Sequence, residues 1–116
     1  VLIYDALDTL INGGIGFDTV LVESGTSSFS LENLRNIEQI LVKSPQAVTA
    51  TLTAADVKAA TDANNQLIIS GGSNVQLNLD DAVFNGQVLY NGHAYEQYTM
   101  GTTTVLVEDP IVITVI

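Results

Sequence analysis

The stretch Gly13-Gly14-Ile15-Gly16-Phe17-Asp18-Thr19-Val20-Leu21 combines a glycine-rich turn with the start of an aliphatic segment. It fits the nine-residue pattern G-G-x-G-x-D-x-U-x, in which U is a large aliphatic residue. The glycines allow a tight turn with carbonyl oxygens directed inward, because no Cβ stands in the way. Asp18 adds the hard anionic oxygen that calcium prefers, and Val20 enters a core. The stretch therefore predicts a calcium-binding turn followed by a buried strand.

The residues before this turn repeat part of its pattern. Residues 8–10 (Asp-Thr-Leu) have the same order of acid, threonine and aliphatic residue as residues 18–20, ten positions later. Asn12 is the insertion that extends the ideal spacing of nine. The two segments predict stacked turns of a parallel β-roll. Because the chain opens at Val1 without an initiator Met or a basic leader, we expect Val1 to be a cut within a longer array.

The amino-acid composition limits the kinds of molecule that the chain can bind and the kind of fold it can form. The chain carries 13 acidic and 3 basic side chains, for a net charge of −10, so nucleic acid and anionic membranes are repelled and cations are attracted. Apolar residues make up 47% and charged residues 14%, which favours a packed core over disorder. There is no cysteine, and no apolar run approaches the ~18 residues that a membrane-spanning helix needs. We expect an exported monomer that does not insert into membranes.

Short β segments separated by glycine and asparagine follow one another along the chain. Val, Ile and Thr predict strands at 2–4, 9–11, 19–23, 40–43, 48–52, 67–70, 75–79, 87–90, 94–99, 103–107 and 111–115. Asn91 and Gly92 tolerate positive φ, as a type I′ turn requires, and predict an antiparallel hairpin. Thr53 with Asp56 is a capping-box variant that predicts one short helix, ended by residues 62–65.

These elements predict a mainly β fold. Parallel β-roll rungs (a β-solenoid) lead into stacked strands with one short helix, and antiparallel β-hairpins close the end. We assign residues 1–24 to the last calcium-binding rungs, residues 25–65 to the continuation with the helix, and residues 66–116 to an antiparallel C-terminal cap. A cap is needed because an open end exposes unpaired amides and an apolar face.

Several segments resemble, in their order, the C-terminal region of large repeats-in-toxin (RTX) adhesins, which are bacterial surface proteins exported by type I secretion. Residues 2–14 resemble the end of the repeat array, and residues 34–40 resemble the Asn-Ile-Glu-x-Ile rung that follows it. Residues 52–57, 61–65 and 67–69 resemble the helix-and-strand unit of that family. The closing hairpins resemble its C-terminal cap. The similarity covers nearly the whole chain.

The resemblance implies the C-terminal module of a calcium-binding adhesin, with roles in cell adhesion and biofilm formation. It implies a partner during export, the type I secretion machinery, which reads an uncleaved signal in the C-terminal region. The protein would then be secreted and associated with the cell surface. The chain would stay unfolded in the low-calcium cytosol and fold outside. Its acidic composition suits this scheme, because carboxylates repel one another until a cation arrives.

Five residues are candidate calcium ligands through carbonyl or carboxylate oxygens: Gly13, Ile15, Asp18, Asp8 and Asp5. The sequence departs from the family pattern at residues 3–8, which hold the position of a glycine turn but contain no glycine. Three alternatives stay open. Asp5 and Asp8 compensate with side-chain oxygens, the ion is absent, or the site needs the rung that precedes the chain.

The remaining candidates favour structural roles. His93 follows the predicted hairpin turn, so we expect it at the surface. The acidic pairs Asp80–Asp81 and Glu108–Asp109 flank strand ends, where solvated turns are the usual explanation and a weak peripheral calcium site is the alternative. No G-x-S-x-G elbow precedes a helix, so we expect no enzyme.

Two alternative functions remain. The first is a glycan- or surface-recognition domain that uses the hairpin tyrosines Tyr90, Tyr95 and Tyr98, although cross-strand packing explains these residues as well. The second is the tail of a secreted RTX hydrolase whose catalytic part lies upstream.

Overall fold

The computed structural model describes residues 2–4, 10–61 and 65–116. Strands predominate, and the described part of the chain holds one short helix. In chain order the elements are β1 (Leu2–Ile3), β2 (Ile11–Asn12), β3 (Thr19–Val22), β4 (Leu34–Arg35), β5 (Gln39–Val42), β6 (Val48–Leu52), α1 (Ala54–Ala60), β7 (Gln66–Ser70), β8 (Val75–Leu79), β9 (Val83–Tyr90), β10 (His93–Met100), β11 (Thr103–Glu108) and β12 (Val112–Val115). The prediction of a mainly β fold with one short helix is confirmed.

The strands form three sheets in which parallel pairing dominates. The long sheet has the order β1-β3-β5-β7-β11-β10-β9, and its first five strands are parallel to one another. The three-stranded sheet, β12-β8-β6, is parallel throughout, and β2 pairs in parallel with β4. The chain passes from the long sheet to the three-stranded sheet at β5–β6, at β7–β8 and at β11–β12. Successive passages of the chain therefore lie side by side.

One hydrophobic cluster joins the inner faces of the sheets. Four side chains from four successive parallel strands of the long sheet form one row and are each 0% exposed: Val20, Ile40, Ile69 and Val107. Leu52 and Leu79 are partners in the three-stranded sheet and belong to the same cluster. Because burying one such side chain stabilises the fold by about 1.5–3 kcal/mol, these rows are the main support of a chain that has no disulfides.

The hairpin at Asn91 and Gly92 is confirmed. The two residues have φ angles of 51° and 80°, and Tyr90 pairs with His93 across the turn. Positive φ at both central positions is what a type I′ turn requires. The hairpin extends the long sheet beyond β11, because β10 pairs antiparallel with β11 as well as with β9.

The region 66–116, predicted to be an antiparallel C-terminal cap, contains parallel as well as antiparallel strand pairs. β7 runs parallel to β11, and β8 runs parallel to β12, so these four strands continue the parallel stacks. Antiparallel pairing among the described strands is confined to β9, β10 and β11. β9 also begins at Val83, earlier than predicted, because the ladder shifts by one residue next to Gly86 (φ 118°). Such a β-bulge lets a strand continue past a glycine.

The short helix forms as its capping residues predict. The Asp56 N–H donates to Thr53 Oγ1 at 3.1 Å, and the Thr53 N–H donates to Asp56 Oδ2 at 3.4 Å. α1 spans seven residues and buries Val57 and Ala60. Across residues 2–4, 10–61 and 65–116, no helix is long and apolar enough to cross a membrane.

A small second cluster lies on the long sheet, formed by Ile68, Tyr95 and Leu106. The Tyr95 hydroxyl lies 2.7 Å from Ser70 Oγ, which also accepts a hydrogen bond from Gln39 Nε2 at 2.9 Å. Burial raises the pKa of Tyr95 above its ordinary value of 10.0, and it does the same for Tyr98. Strands β5, β7 and β10 are thus linked through one buried hydroxyl pair.

Stability is expected to fall as the pH rises above about 10. Since the folded-state pKa of Tyr95 lies above that of the unfolded chain, the unfolded chain loses its proton first. Tyr95→Phe should make this fall smaller, and at neutral pH it should cost about 1 kcal/mol through the lost hydrogen bond. Urea unfolding at a series of pH values measures both effects. An unchanged pH dependence in Tyr95→Phe would mean that Tyr95 does not cause the loss of stability at high pH.

Candidate metal centre

Asp18 and Glu38 occupy equivalent positions on neighbouring strands. Asp18 directly precedes β3, Glu38 directly precedes β5, and Thr19 pairs with Gln39 in the parallel register. The Asp18 N–H donates to Glu38 Oε1 at 2.6 Å. The N–H groups of Glu38 and Gln39 donate to the Asp18 carbonyl oxygen at 3.1 and 3.2 Å. Two carboxylates are therefore held at the same end of two adjacent strands.

Gly13 leaves room for the Asn36 backbone carbonyl beside Asp18. Its N–H donates to the Arg35 carbonyl at 2.9 Å. A Cβ on Gly13 would stand 2.5 Å from the Asn36 carbonyl oxygen and 2.6 Å from the Asp18 Cβ. Both distances are shorter than van der Waals contact, so the Asp18 side chain and the Asn36 carbonyl can lie this close to residue 13 only because it is glycine.

One oxygen of the Asp18 carboxylate has no donor among the described residues. Asp18 Oδ2 is shielded from solvent and accepts no hydrogen bond from them, and Glu38 Oε2 is buried as well. A buried polar atom without a partner costs about 1–3 kcal/mol, and more if it is charged. The neighbouring carboxylate adds repulsion. A cation would remove both penalties, so the arrangement fits a metal ion.

The glycine turn itself is closed by Asn12. Asn12 Oδ1 accepts hydrogen bonds from the Gly14 N–H at 2.9 Å and from Asn36 Nδ2 at 3.0 Å. Gly14 and Gly16 have φ angles of 75° and 102°, which side-chain-bearing residues rarely adopt. The Asn12 side-chain oxygen is already engaged by two donors, so we assign Asn12 the role of holding the loop in place.

The donor types favour calcium among the common ions. The candidate groups are two carboxylates and a backbone carbonyl, which are the hard oxygen ligands that calcium takes. Sulfur ligands are excluded because the chain has no cysteine. In the described ranges, no three His, Cys, Asp or Glu side chains gather around one point. Carbonyl oxygens such as that of Asn36 would therefore have to complete the coordination.

The structure places two of the five predicted ligands, Gly13 and Asp18, next to each other, and the role of the Gly13 carbonyl oxygen stays a prediction. Ile15 lies in the glycine-rich turn with its side chain fully exposed (104%), and the role of its carbonyl oxygen stays a prediction. Asp5 and Asp8 lie outside the described residues.

Sequence reasoning missed Glu38 and Asn36. The signal for Glu38 was present, because residues 38–42 (Glu-Gln-Ile-Leu-Val) repeat the acid, polar and three aliphatic residues of positions 18–22 (Asp-Thr-Val-Leu-Val). The repeat has a spacing of 20 residues. A search at the nine-residue period of glycine turns passes over it.

The other candidates lie in surface and core positions. The His93 side chain is 65% exposed, as predicted for a surface residue, and its Nδ1 lies 3.7 Å from Glu108 Oε2. Tyr95 and Tyr98 are only 4% and 8% exposed. They are therefore not available to form an exposed stacking surface for sugars.

Comparison of the chain with protein-family models, with curated proteins and with solved structures found no match. The resemblance to RTX adhesins therefore stays a hypothesis. What the chain binds is inferred from the contacts of its own residues.

Gly13→Ala is expected to destabilise the fold by about 2 kcal/mol, because the new methyl group would overlap the Asn36 carbonyl oxygen and the Asp18 side chain. Gly14→Ala is the matched control. No atom lies within 4 Å of a Cβ at that position, so only the backbone strain at φ 75° remains, about 1 kcal/mol. Urea denaturation of both variants measures the difference. Equal losses would contradict the close approach at Gly13.

Proposed function

We propose that this chain is a non-enzymatic, calcium-stabilised C-terminal module of a type I secreted RTX adhesin, where it continues and ends a β-roll outside the cell. The observation that carries the proposal is the buried Asp18 Oδ2, which has no donor among the described residues and stands at the end of a Gly-Gly-x-Gly-x-Asp turn. A fold that buries this charge gains stability when a cation arrives. Calcium outside the cell would thus favour folding after export.

Three groups would hold the ion. They are the carboxylates of Asp18 and Glu38 and the carbonyl oxygen of Asn36. The Asp18 side chain and the Asn36 carbonyl both lie against Gly13, and Glu38 Oε1 accepts the Asp18 N–H. When bound, calcium would supply the positive charge that balances the negative charge of these oxygens. Gly13 acts by leaving space, and Asn12 acts by holding the loop through its two accepted hydrogen bonds.

The pairing of the strands supports a β-roll. Strands from successive passages of the chain stack in register, as in Val20, Ile40 and Ile69 of the long sheet and Val48 and Val75 of the three-stranded sheet. In a solenoid each coil contacts only its neighbours and buries a continuous core in this way. Among the described strands β1 lies at the edge of the long sheet, and a preceding coil would pair with it.

The hairpin β9–β10 supports a capping role. It covers β11, the last parallel strand of the long sheet, along six paired residues. An uncovered β11 would present unpaired N–H and C=O groups to other chains. The hairpin therefore moves the edge of the long sheet from β11 to β9, where the β-bulge next to Gly86 interrupts the strand.

The charge balance supports folding after export. The three basic side chains cannot neutralise 13 acidic ones, so compaction brings like charges together. At low calcium this repulsion favours the unfolded chain, which is the form that a type I secretion machine can thread. At high calcium the repulsion is relieved where the carboxylates converge.

Far-UV circular dichroism and thermal melts in chelator, in calcium and in magnesium test the calcium part of the proposal. We expect a rise in melting temperature with calcium and little change with magnesium, which demands a stricter octahedral geometry. A chain that is fully folded and indifferent to calcium would overturn it.

Export is tested separately. A reporter with this chain fused to its C-terminus is expected to leave bacteria that carry a type I secretion system, whereas the reporter alone stays inside. Retention of the fusion in cells that export a known type I substrate would contradict the secretion part and leave the calcium result unaffected.

A further inference from the structure

The free edge of β12 is apolar and only partly covered. Val112, Val115 and Ile116 are 49%, 50% and 58% exposed. Within the described residues β12 pairs with β8 alone, so its other side is a sheet edge. Val115 is in register with Leu79, which is 0% exposed. The apolar layer of the three-stranded sheet is therefore partly exposed to solvent at β12.

The backbone groups on this edge can be identified. The Ile116 N–H donates to the Leu79 carbonyl, and the Asp81 N–H donates to the Ile116 carbonyl, so both groups of Ile116 are used on the inner side. Because backbone groups alternate along a strand, those of Ile113 and Val115 point outward. Two donors and two acceptors on this edge are thus available for another strand.

We propose that two copies of this chain associate through β12 as a two-fold antiparallel pair centred on Thr114. In this register Ile113 of one copy lies opposite Val115 of the other, and the outward-facing groups of these two residues form the hydrogen bonds. Cross-strand neighbours also lie on the same face of the sheet. Thr114 lies opposite Thr114 of the other copy, and Val112 lies opposite Ile116 of the other copy. The sheet would become six-stranded and would cover its half-exposed aliphatic side chains.

The match of this edge with itself favours a second copy as its occupant, because in the two-fold register the outward backbone groups of Ile113 and Val115 are each other's hydrogen-bond partners. Residues 111–116 contain no charged side chain, whereas the whole chain has a net charge of −10. Two identical chains repel each other over most of their surface, so an uncharged edge is where they meet at the lowest electrostatic cost. The pairing is short, and we expect a weak dimer that replaces the monomer expected from the sequence. The proposal does not depend on calcium.

Sedimentation equilibrium over a range of roughly micromolar to millimolar protein tests the dimer. We expect the average mass to rise from 12.3 kDa towards twice that value. Thr114→Lys places two like charges opposite each other and should weaken association roughly tenfold or more. Thr49→Lys on β6 is the control, since it is exposed on the opposite edge strand of the sheet and should leave association intact. Both variants lower the net negative charge equally.

A single cysteine provides a second test that does not depend on the lysine variant folding. The chain has no cysteine, so Thr114→Cys can form a disulfide only between two copies. Two residues that face each other in a non-hydrogen-bonded pair have Cα atoms about 4.5 Å apart, within the disulfide range. We expect cross-linking in a glutathione buffer at roughly tenfold lower protein concentration than for Thr49→Cys.

A wild-type chain that stays monomeric at every concentration would overturn the proposal. So would equal cross-linking of the two cysteine variants, or a dimer that Thr114→Lys leaves unchanged, because association would then use another surface such as β9.

Discussion

Asp18→Asn is expected to raise the melting temperature in chelator and to abolish the rise that calcium produces. The two effects have opposite signs because they arise from one charge. Without a cation the buried Asp18 Oδ2 has no donor among the described residues, so removing its charge relieves a penalty of about 1 kcal/mol. With a cation the same charge is the main attraction.

Of the two expected effects of Asp18→Asn, the loss of the calcium response is the larger. At a free calcium concentration about 100 times the dissociation constant, binding to the folded state alone adds about 2.7 kcal/mol to the free energy of unfolding. For a domain of this size that is a rise of roughly 10 °C in melting temperature. Asp18→Asn should lose nearly all of it. Glu38→Gln should lose part of it, because the Glu38 carboxylate accepts the Asp18 N–H and would hold the ion from the neighbouring strand.

The control is Asp109→Asn, which removes the same charge from an exposed turn between β11 and β12. It should leave the calcium-induced rise unchanged. Differential scanning calorimetry of the three variants and the wild type, with and without calcium, provides the comparison. A full calcium response in Asp18→Asn would place any site elsewhere in the chain.

Local signals in the sequence were sufficient where one residue type decides the conformation. Thr53 with Asp56 predicted the capping box, and Asn91 with Gly92 predicted the hairpin, because each motif satisfies its own backbone. Gly13 and Asp18 were predicted together for the same reason, as parts of one turn, and the structure places them close to each other. In each case the interacting residues lie within a few positions of one another.

Signals that depend on distant residues were missed. Glu38 joins the candidate site because β5 stacks beside β3, a pairing that no local pattern encodes. β4 was overlooked because it has two residues and exists only through its pairing with β2. β7 and β8 were expected in an antiparallel cap, and their parallel pairing depends on partners 27 or more residues away, such as Val48 for Val75. Whether a strand pairs in parallel or antiparallel depends on the neighbouring strands in the sheet, and the strand's own residues do not encode it.

Leu79→Ala is expected to reduce the free energy of unfolding by about 3 kcal/mol or more. Leu79 is 0% exposed and lies between Leu52 and Val115 in the inner row of the three-stranded sheet. Truncation removes the transfer free energy of three carbons and leaves a cavity that neighbours on both sides cannot fill. A loss of this size is a large fraction of the stability of a domain of 116 residues.

Val115→Ala is the matched control in the same row. Val115 is 50% exposed, so its truncation should cost under about 1 kcal/mol at low protein concentration. Urea denaturation of both variants checks the difference, and equal losses would mean that the row does not belong to one core. Because the proposed β12 pairing would bury Val115, the cost of Val115→Ala should rise with protein concentration. The cost of Leu79→Ala should rise less, since Leu79 is already buried within one copy.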